Sequence, residues 1–485
     1  MNIIERFNRL QAPDNAADRA ATAGAGNAGP VPLCHVVKGR TVSGAEHEFG
    51  PQHARFTTPA LDLDALVWPR TAPVPAADTP VSEIMDVLVE TGKWLTADPE
   101  GLVAQALDFT IRTSPLPAPV LERSYQGLER LFSRESMAFQ LDTELGGSDV
   151  VDGWREIADA PSGRRHRIRA FPPRLIHVIA GNSPGVAAIS IIRGALIKGV
   201  HLLKIPSNDL FTATAILRAM AAVAPEHPVT RSFSAAYWRG GDTRVEGMLF
   251  RPQFFDKLVA WGGGSTIENA QKYVGPGFEL VAFDPKTSIS LVGREAFESE
   301  ESLAEAAELG AADATMVEQQ ACASSRFQFV EGSTEQVDRY CERLQQRMGV
   351  ERPMATAEGR PLPSDIREEI EGLRGMEDYY RVWGDYRGQG VVIRSEEPVE
   401  FHPDGRVVNV IPVASLDEGV AHANVATQTV GVYPQARKAA LRDALAGMGV
   451  QRVVALGSAG AVETGLPHDG FMPLHRFVRW VNDEG

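Results

Sequence analysis

Cys322 stands in Glu318-Gln319-Gln320-Ala321-Cys322-Ala323-Ser324-Ser325, a polar turn that follows a long α/β stretch. A thiolate placed there forms a thioester or a thiohemiacetal, and a nicotinamide gives or takes a hydride. The plainer account of a free cysteine is a small buried hydrophobe. Asn182, in Gly181-Asn182-Ser183-Pro184-Gly185, carries an amide that can donate to an oxyanion, or simply makes an asparagine turn. Gly262-Gly263-Gly264-Ser265-Thr266 follows a strand-like run and precedes a helix-like one. Glycines there let backbone N–H groups approach a phosphate at a helix N-terminus. A plain glycine turn meets the same pattern, and the full Gly-x-Gly-x-x-Gly fingerprint with a downstream acid is not evident. Lys204 opens Lys204-Ile205-Pro206-Ser207-Asn208-Asp209 at the end of a strand-like run. Ligands of open α/β sheets bind at the carboxyl ends of strands, so Lys204, Ser207 and Asn208 suit ribose hydroxyls or a 2′-phosphate. Helix capping by Ser207 or Asp209 is the simpler use and does not exclude the first.

The elements that must position these residues read as alternating strands and helices. Leu175–Ala180 is a buried-strand run, Val186–Lys198 an apolar helix with Gly199 as its expected C-cap, and Val200–Ile205 a second strand. This βαβ unit predicts a parallel sheet. A helix is expected over Phe211–Ala222, and strands over Lys257–Trp261, Glu279–Phe283 and Ile289–Val292. Beyond Cys322, strands are expected over Arg326–Val330, Val407–Val413, Thr429–Val432 and Arg452–Leu456. Helices are expected over Glu335–Met348 and Leu416–Asn424, with a proline-containing loop at 350–365. Upstream, 32–75 suggests short strands, and Pro80 to Leu145 is helical with a break near Pro115–Pro119. The cationic run Gly163–Arg174 reads as an extended ribbon or a solvated hairpin.

The chain has 485 residues, enough for two to four domains, and a net charge of −15. That balance argues against a nucleic-acid groove and against adhesion to an anionic membrane. Leu175–Leu203 is the most apolar stretch, yet Asn182, Ser183, Pro184, Arg193 and Lys198 break it, so no membrane span is expected. The start, Met1–Leu10, is no signal peptide. Three sparse cysteines, Cys34, Cys322 and Cys341, suit a reducing cytoplasm, and no pair has metal-ligand spacing.

Taken together, Ala180–Gly185, Leu203–Ser207, Gly262–Thr266 and Gln319-Gln320-Ala321-Cys322 occur in the order and rough spacing of the aldehyde dehydrogenase superfamily. The Gln-Gln-Ala-Cys core, Phe283-Asp284-Pro285-Lys286-Thr287-Ser288 and Gly465-Leu466-Pro467-His468-Asp469-Gly470 resemble one branch, the acyl-CoA reductase family of the LuxC type. The resemblance covers roughly Pro172 to the C-terminus. It implies an aldehyde dehydrogenase-like α/β fold: two Rossmann-like parallel-sheet domains plus an oligomerisation arm. The expected division is a flexible lead over 1–31, a cofactor-binding domain over 32–162 and 176–286, a catalytic domain over 287–460 carrying Cys322, and an arm from 163–175 and 470–485.

The resemblance also implies roles. Cys322 would be the nucleophile, with Asn182 and the Cys322 N–H as the oxyanion hole. Lys204, Ser207, Asn208 and the loop Gly263, Gly264, Ser265, Thr266 would hold the cofactor. The substrate would be acyl-CoA or an acylated protein, with a possible acyl-transferring partner enzyme and a homo-oligomeric state. Aldehyde-oxidising relatives carry a water-activating glutamate where Ala282 stands here, although Glu279 is near. Lacking that base, an acyl-enzyme survives to be reduced. The carboxylate that would grip the adenosine ribose hydroxyls is not evident after Pro206, where Ser207 and Asn208 come next, and this favours NADPH over NADH. Two alternatives stay open: an aldehyde dehydrogenase yielding a free acid, and a non-catalytic nucleotide-binding or scaffold relative. His468 is either a proton donor near the thioester or a structural residue, and Cys341 sits in a helical pattern as a packing residue.

Overall fold

The computed structural model describes residues 29–157, 161 and 163–484. The expected flexible lead therefore lies, through residue 28, outside the described residues. The described chain forms two compact units, one from residues 29–114, 124–284 and 463–484, the other from 115–123 and 285–462.

The first unit is built on a seven-stranded sheet. Its strands are β1 (His35–Val37), β2 (Arg40–Val42), β3 (Arg174–Val178), β4 (Val200–Lys204), β5 (Phe233–Ala236), β6 (Lys257–Trp261) and β7 (Glu279–Phe283). Their order is β7-β6-β3-β4-β5-β1-β2. Strands β3 to β7 run parallel, and β1 and β2 close the edge antiparallel. Leu175, Ile176, Leu202, Leu203, Leu258 and Val259 are fully buried, as central parallel strands covered on both faces must be. The crossover helices are α1 (Pro184–Leu196) after β3 and α2 (Thr212–Val223) after β4. They share a core with the helix Val81–Ala97, through Ile84, Leu88, Ile191 and Ile216. Helix α3 (Gly264–Gln271) follows β6.

The cationic run supplies His166–Phe171, the middle strand of a three-stranded antiparallel sheet. Arg155–Ile157 lies on one side and Arg479–Glu484 on the other. It is thus an integrated strand.

The second unit repeats the theme. Its sheet comprises β8 (Thr287–Val292), β9 (Ser325–Glu331), β10 (Tyr380–Trp383), β11 (Val391–Ser395), β12 (Val407–Val413), β13 (Thr427–Tyr433) and β14 (Arg452–Ala455), in the order β10-β11-β12-β9-β8-β13-β14. All neighbours are parallel except β10 on β11. Helices α4 (Glu300–Thr315) and α5 (Thr334–Met348) pack over it, and Cys341 is buried in their core. The helix expected over Leu416–Asn424 stops at Val420. Asn424 turns the chain instead, its Oδ1 accepting from Ala426 N at 2.8 Å. Among the described residues no helix is long and apolar enough to cross a membrane.

Candidate active site

Three loops meet the carboxyl edge of the first sheet, after β3, β4 and β6. The loop after β3 carries Asn182. Ser183 then caps α1, its Oγ accepting from Gly185 N at 3.2 Å, and Pro184 opens the helix with φ already set. Gly181 is pressed against the loop after β4: a Cβ there would collide with the Asn208 side chain and stand 3.0 Å from Asp209 N. Only glycine lets these two loops touch.

Lys204 ends β4 and is buried. Its Nζ donates to Ile205 O at 3.4 Å and stands 5.9 Å from the Tyr237 ring centroid. Burial pushes its ammonium down to about 8, and Glu246 opposes that fall. Ser207 is exposed and Asn208 half-buried. Asp209 points inward, accepting from Thr212 and Tyr125 around the start of α2, so its carboxylate serves the helix. After β6, Gly263 is the N-cap residue of α3 and is exposed, with Ser265. A Cβ built on Gly263 meets nothing within 4 Å, so the space before the helix is open.

Glu246 was not legible as a member of this group. It is buried, and its carboxylate accepts from Gly241 N (3.0 Å), Asn269 Nδ2 (2.8 Å) and Tyr273 OH (3.2 Å). It thereby ties α3 to the loop after β5. The buried Lys204 ammonium and the open space beside Gly263 before α3 are the features that could hold a dinucleotide's phosphates.

Cys322 belongs to the second unit, at the amino edge of its sheet, and is half-buried. Its carbonyl accepts from Ser288 Oγ at 2.7 Å, and Ser288 Oγ accepts from Thr429 N at 3.1 Å. Ser288 sits where β8 slips register against both its neighbours. Ser324 Oγ donates to Met316 O at 2.8 Å, which closes the turn from its other end. Val317, Glu318 and Gln319, just before the cysteine, all adopt left-handed backbone angles, φ 50°, 51° and 61°. Nothing in their residue types announces this.

Arg452 is a second residue that sequence reasoning missed. It opens β14 and donates to Ala459 O (2.7 Å) and Ala461 O (2.6 Å). Burial lowers its pKa, opposed by Asp313 and then by Cys322. Asp313 holds the same 457–461 loop, accepting from Gly457 N (2.8 Å) and Ala459 N (2.9 Å).

The other candidates fall elsewhere. Glu279 opens β7 at the amino edge of the first sheet, paired with Lys257 (3.1 Å) and Arg476 (2.7 Å). His468 lies at that sheet's carboxyl edge, its ring edge-on to Trp261 and Phe283. Asn182, Lys204, Ser207, Asn208 and Gly263–Thr266 thus share one unit, and Cys322 belongs to the other.

The family model described as acyl-CoA reductase (LuxC) matches residues 76–480. The chain belongs to the acyl-CoA reductase (LuxC) family. Membership makes it an oxidoreductase that reduces an acyl thioester to an aldehyde. Relatives of this LuxC-family chain include the long-chain acyl-protein thioester reductase of Vibrio harveyi, 30% identical over 361 residues, covering 73% of this chain and 72% of that one. The protein of the same description from Aliivibrio fischeri is 30% identical over 369 residues, with the same coverage. Among solved structures, a NAD-dependent benzaldehyde dehydrogenase from Corynebacterium glutamicum superposes with a TM-score of 0.67 at 15% identity, covering 96% of this chain and all of that one. A NADP-dependent glyceraldehyde-3-phosphate dehydrogenase from Bacillus halodurans, complexed with NADP, gives 0.67 at 13% identity, covering 94% and 99%. These neighbours establish the aldehyde dehydrogenase-like fold of this family member.

Proposed function

We propose that the chain reduces an acyl thioester to an aldehyde with NADPH, through a covalent acyl-Cys322 intermediate. The Cys322 thiolate attacks the thioester carbonyl, the donor's thiolate leaves, and the acyl group stays on sulfur. Asn182 and the Cys322 N–H donate to the carbonyl oxygen as negative charge develops on it. Lys204, Ser207, Asn208 and Gly263–Thr266 hold the cofactor, which when bound supplies the hydride. Ser207 and Asn208 are neutral and do not repel a 2′-phosphate, which favours NADPH over NADH. The observation that carries the reading is a cysteine on a turn fixed by Ser288 and Ser324.

The unit carrying Lys204 is the cofactor-binding domain in this reading, the unit carrying Cys322 the catalytic one, and 163–175 with 470–485 the arm of a homo-oligomer. The donor is acyl-CoA or an acylated protein delivered by an acyl-transferring enzyme, in the cytoplasm. The test is NADPH consumption with a panel of acyl-CoAs, trapping any aldehyde, with Cys322→Ala as control. Aldehyde formation that needs Cys322 supports the reading; turnover by Cys322→Ala overturns it. Turnover only with an acylated carrier protein identifies the protein donor.

A further inference from the structure

The residues before Cys322 hold a conformation that their types resist. Left-handed backbone crowds Cβ against the next carbonyl, and a β-branched valine is worse placed than most. Val317, Glu318 and Gln319 adopt it in succession. Such a run persists only where its surroundings over-determine it.

The surroundings are two buried arginines and the Gln319 amide. Arg406 is fully buried and grips Glu318 in a two-pronged ion pair: Nε donates to Oε2 at 2.8 Å, and Nη2 donates to Oε1. Its Nη2 also donates to Thr356 Oγ1 at 3.1 Å. The Gln319 side chain is fully buried; its Oε1 accepts from Arg406 N (2.9 Å) and Val407 N (3.2 Å), and its Nε2 donates to Val407 O (2.8 Å). Arg326 donates to Gln319 O. Val317 N donates to Met354 O at 2.8 Å. Each of the three left-handed residues is therefore tethered by a different group, and the planar fork of Arg406 fixes orientation as well as distance.

We propose that the buried Arg406–Glu318 pair is a positioning device that holds the 317–319 turn left-handed and so aims the Cys322 sulfur at the acyl carbon. Neither residue handles a proton or touches substrate. The proposal rests on Cys322 being the nucleophile.

Single-turnover acylation of the full chain by palmitoyl-CoA, without cofactor and followed by intact mass, tests it. Arg406→Met with Glu318→Gln removes both charges together, so neither is left buried alone. Its acylation rate at saturating donor should fall about a hundredfold. Its KM for the donor and its NADPH affinity should stay within about twofold of wild type. Arg406→Met with Glu318→Gly should recover to within about tenfold of wild type, because glycine takes the left-handed conformation without a clamp. A wild-type rate in the glutamine variant, or a glycine variant no faster than it, overturns the proposal. Arg406→Lys is the milder variant if either double variant fails to fold. It keeps the charge and loses the fork, so a slower acylation at unchanged KM supports the proposal and an unchanged rate overturns it. If Cys322→Ala still acylates, the nucleophile reading itself has failed. Acylation that needs Cys322 but ignores the pair sinks the positioning role alone.

Discussion

Trp261 and Phe283 stack face to face, ring centroids 3.5 Å apart and planes 5° from parallel, at the ends of the adjacent strands β6 and β7. His468 meets both rings edge-on, with centroids 5.3 and 5.2 Å away. The stack lies immediately before Gly262, so it sets where the glycine loop leaves the sheet. Phe283→Ala should cost about 3 kcal/mol in urea unfolding, because the ring is buried. His468→Phe preserves the edge contacts and should leave aldehyde formation nearly unchanged. A drop of more than about tenfold there would show that the imidazole transfers a proton.

Lys204 makes cofactor binding depend on pH. Burial holds its ammonium down to about 8. It is charged below that value and neutral above it, so NADPH affinity should weaken as pH rises through 8. Fluorescence titration from pH 6.5 to 9.5 reads this directly. Lys204→Ala should bind about tenfold more weakly at pH 7 and lose the pH dependence. A wild-type curve that stays flat would remove Lys204 from the phosphate site.

Glu144 makes stability depend on pH. It is buried beside Arg193 and accepts from Leu474 N. Burial raises its carboxyl from 4.5 to about 7, with Arg193 opposing. A raised acid favours the fold below pH 4.5, where it is protonated in both states. That contribution disappears as pH climbs through 7, because the unfolded chain ionises first. Wild type should therefore lose about 3 kcal/mol relative to Glu144→Gln between pH 4.5 and pH 8. Parallel stability curves for the two proteins would refute this.

Glu279 bears on the free-acid alternative. Two cations hold it at the amino edge of the first sheet, the edge opposite the cofactor loops. Glu279→Gln should leave the ratio of aldehyde to acid unchanged when products are separated by chromatography. A fall in acid would make Glu279 the water-activating base.

The sequence carried the strands and the site loops because each has a local signature. The runs 175–180 and 200–205 are apolar and short, and glycine or proline bounds them. Gly199 shows where such signatures mislead. The left-handed residue that ends α1 is Lys198, φ 59°, whose side chain reaches Asp152. Gly199 is glycine for space: a Cβ would stand 2.6 Å from Pro173 O and 2.8 Å from the His201 ring. No expectation covers β10, β11 or the helix Ser364–Arg374; β11 pairs with β12, and β10 adds to β11 at the sheet edge. Glu246, Arg452 and Arg406 were invisible in the sequence. Each is an ordinary charged residue until the fold sets Lys204, Asp313 or Glu318 beside it.

The strand Arg479–Glu484 gives the chain an order of completion. It pairs with His166–Phe171, residues roughly 300 positions earlier, a separation that makes the pairing slow to find. On the ribosome, that edge of His166–Phe171 waits open while residues 285–462 are made. The unit bearing Cys322 can close while its neighbour still lacks an edge strand. A chain cut before residue 479 would carry a finished nucleophile turn and an unfinished sheet within the unit that bears the cofactor loops, and would reach the cell's proteases in that state.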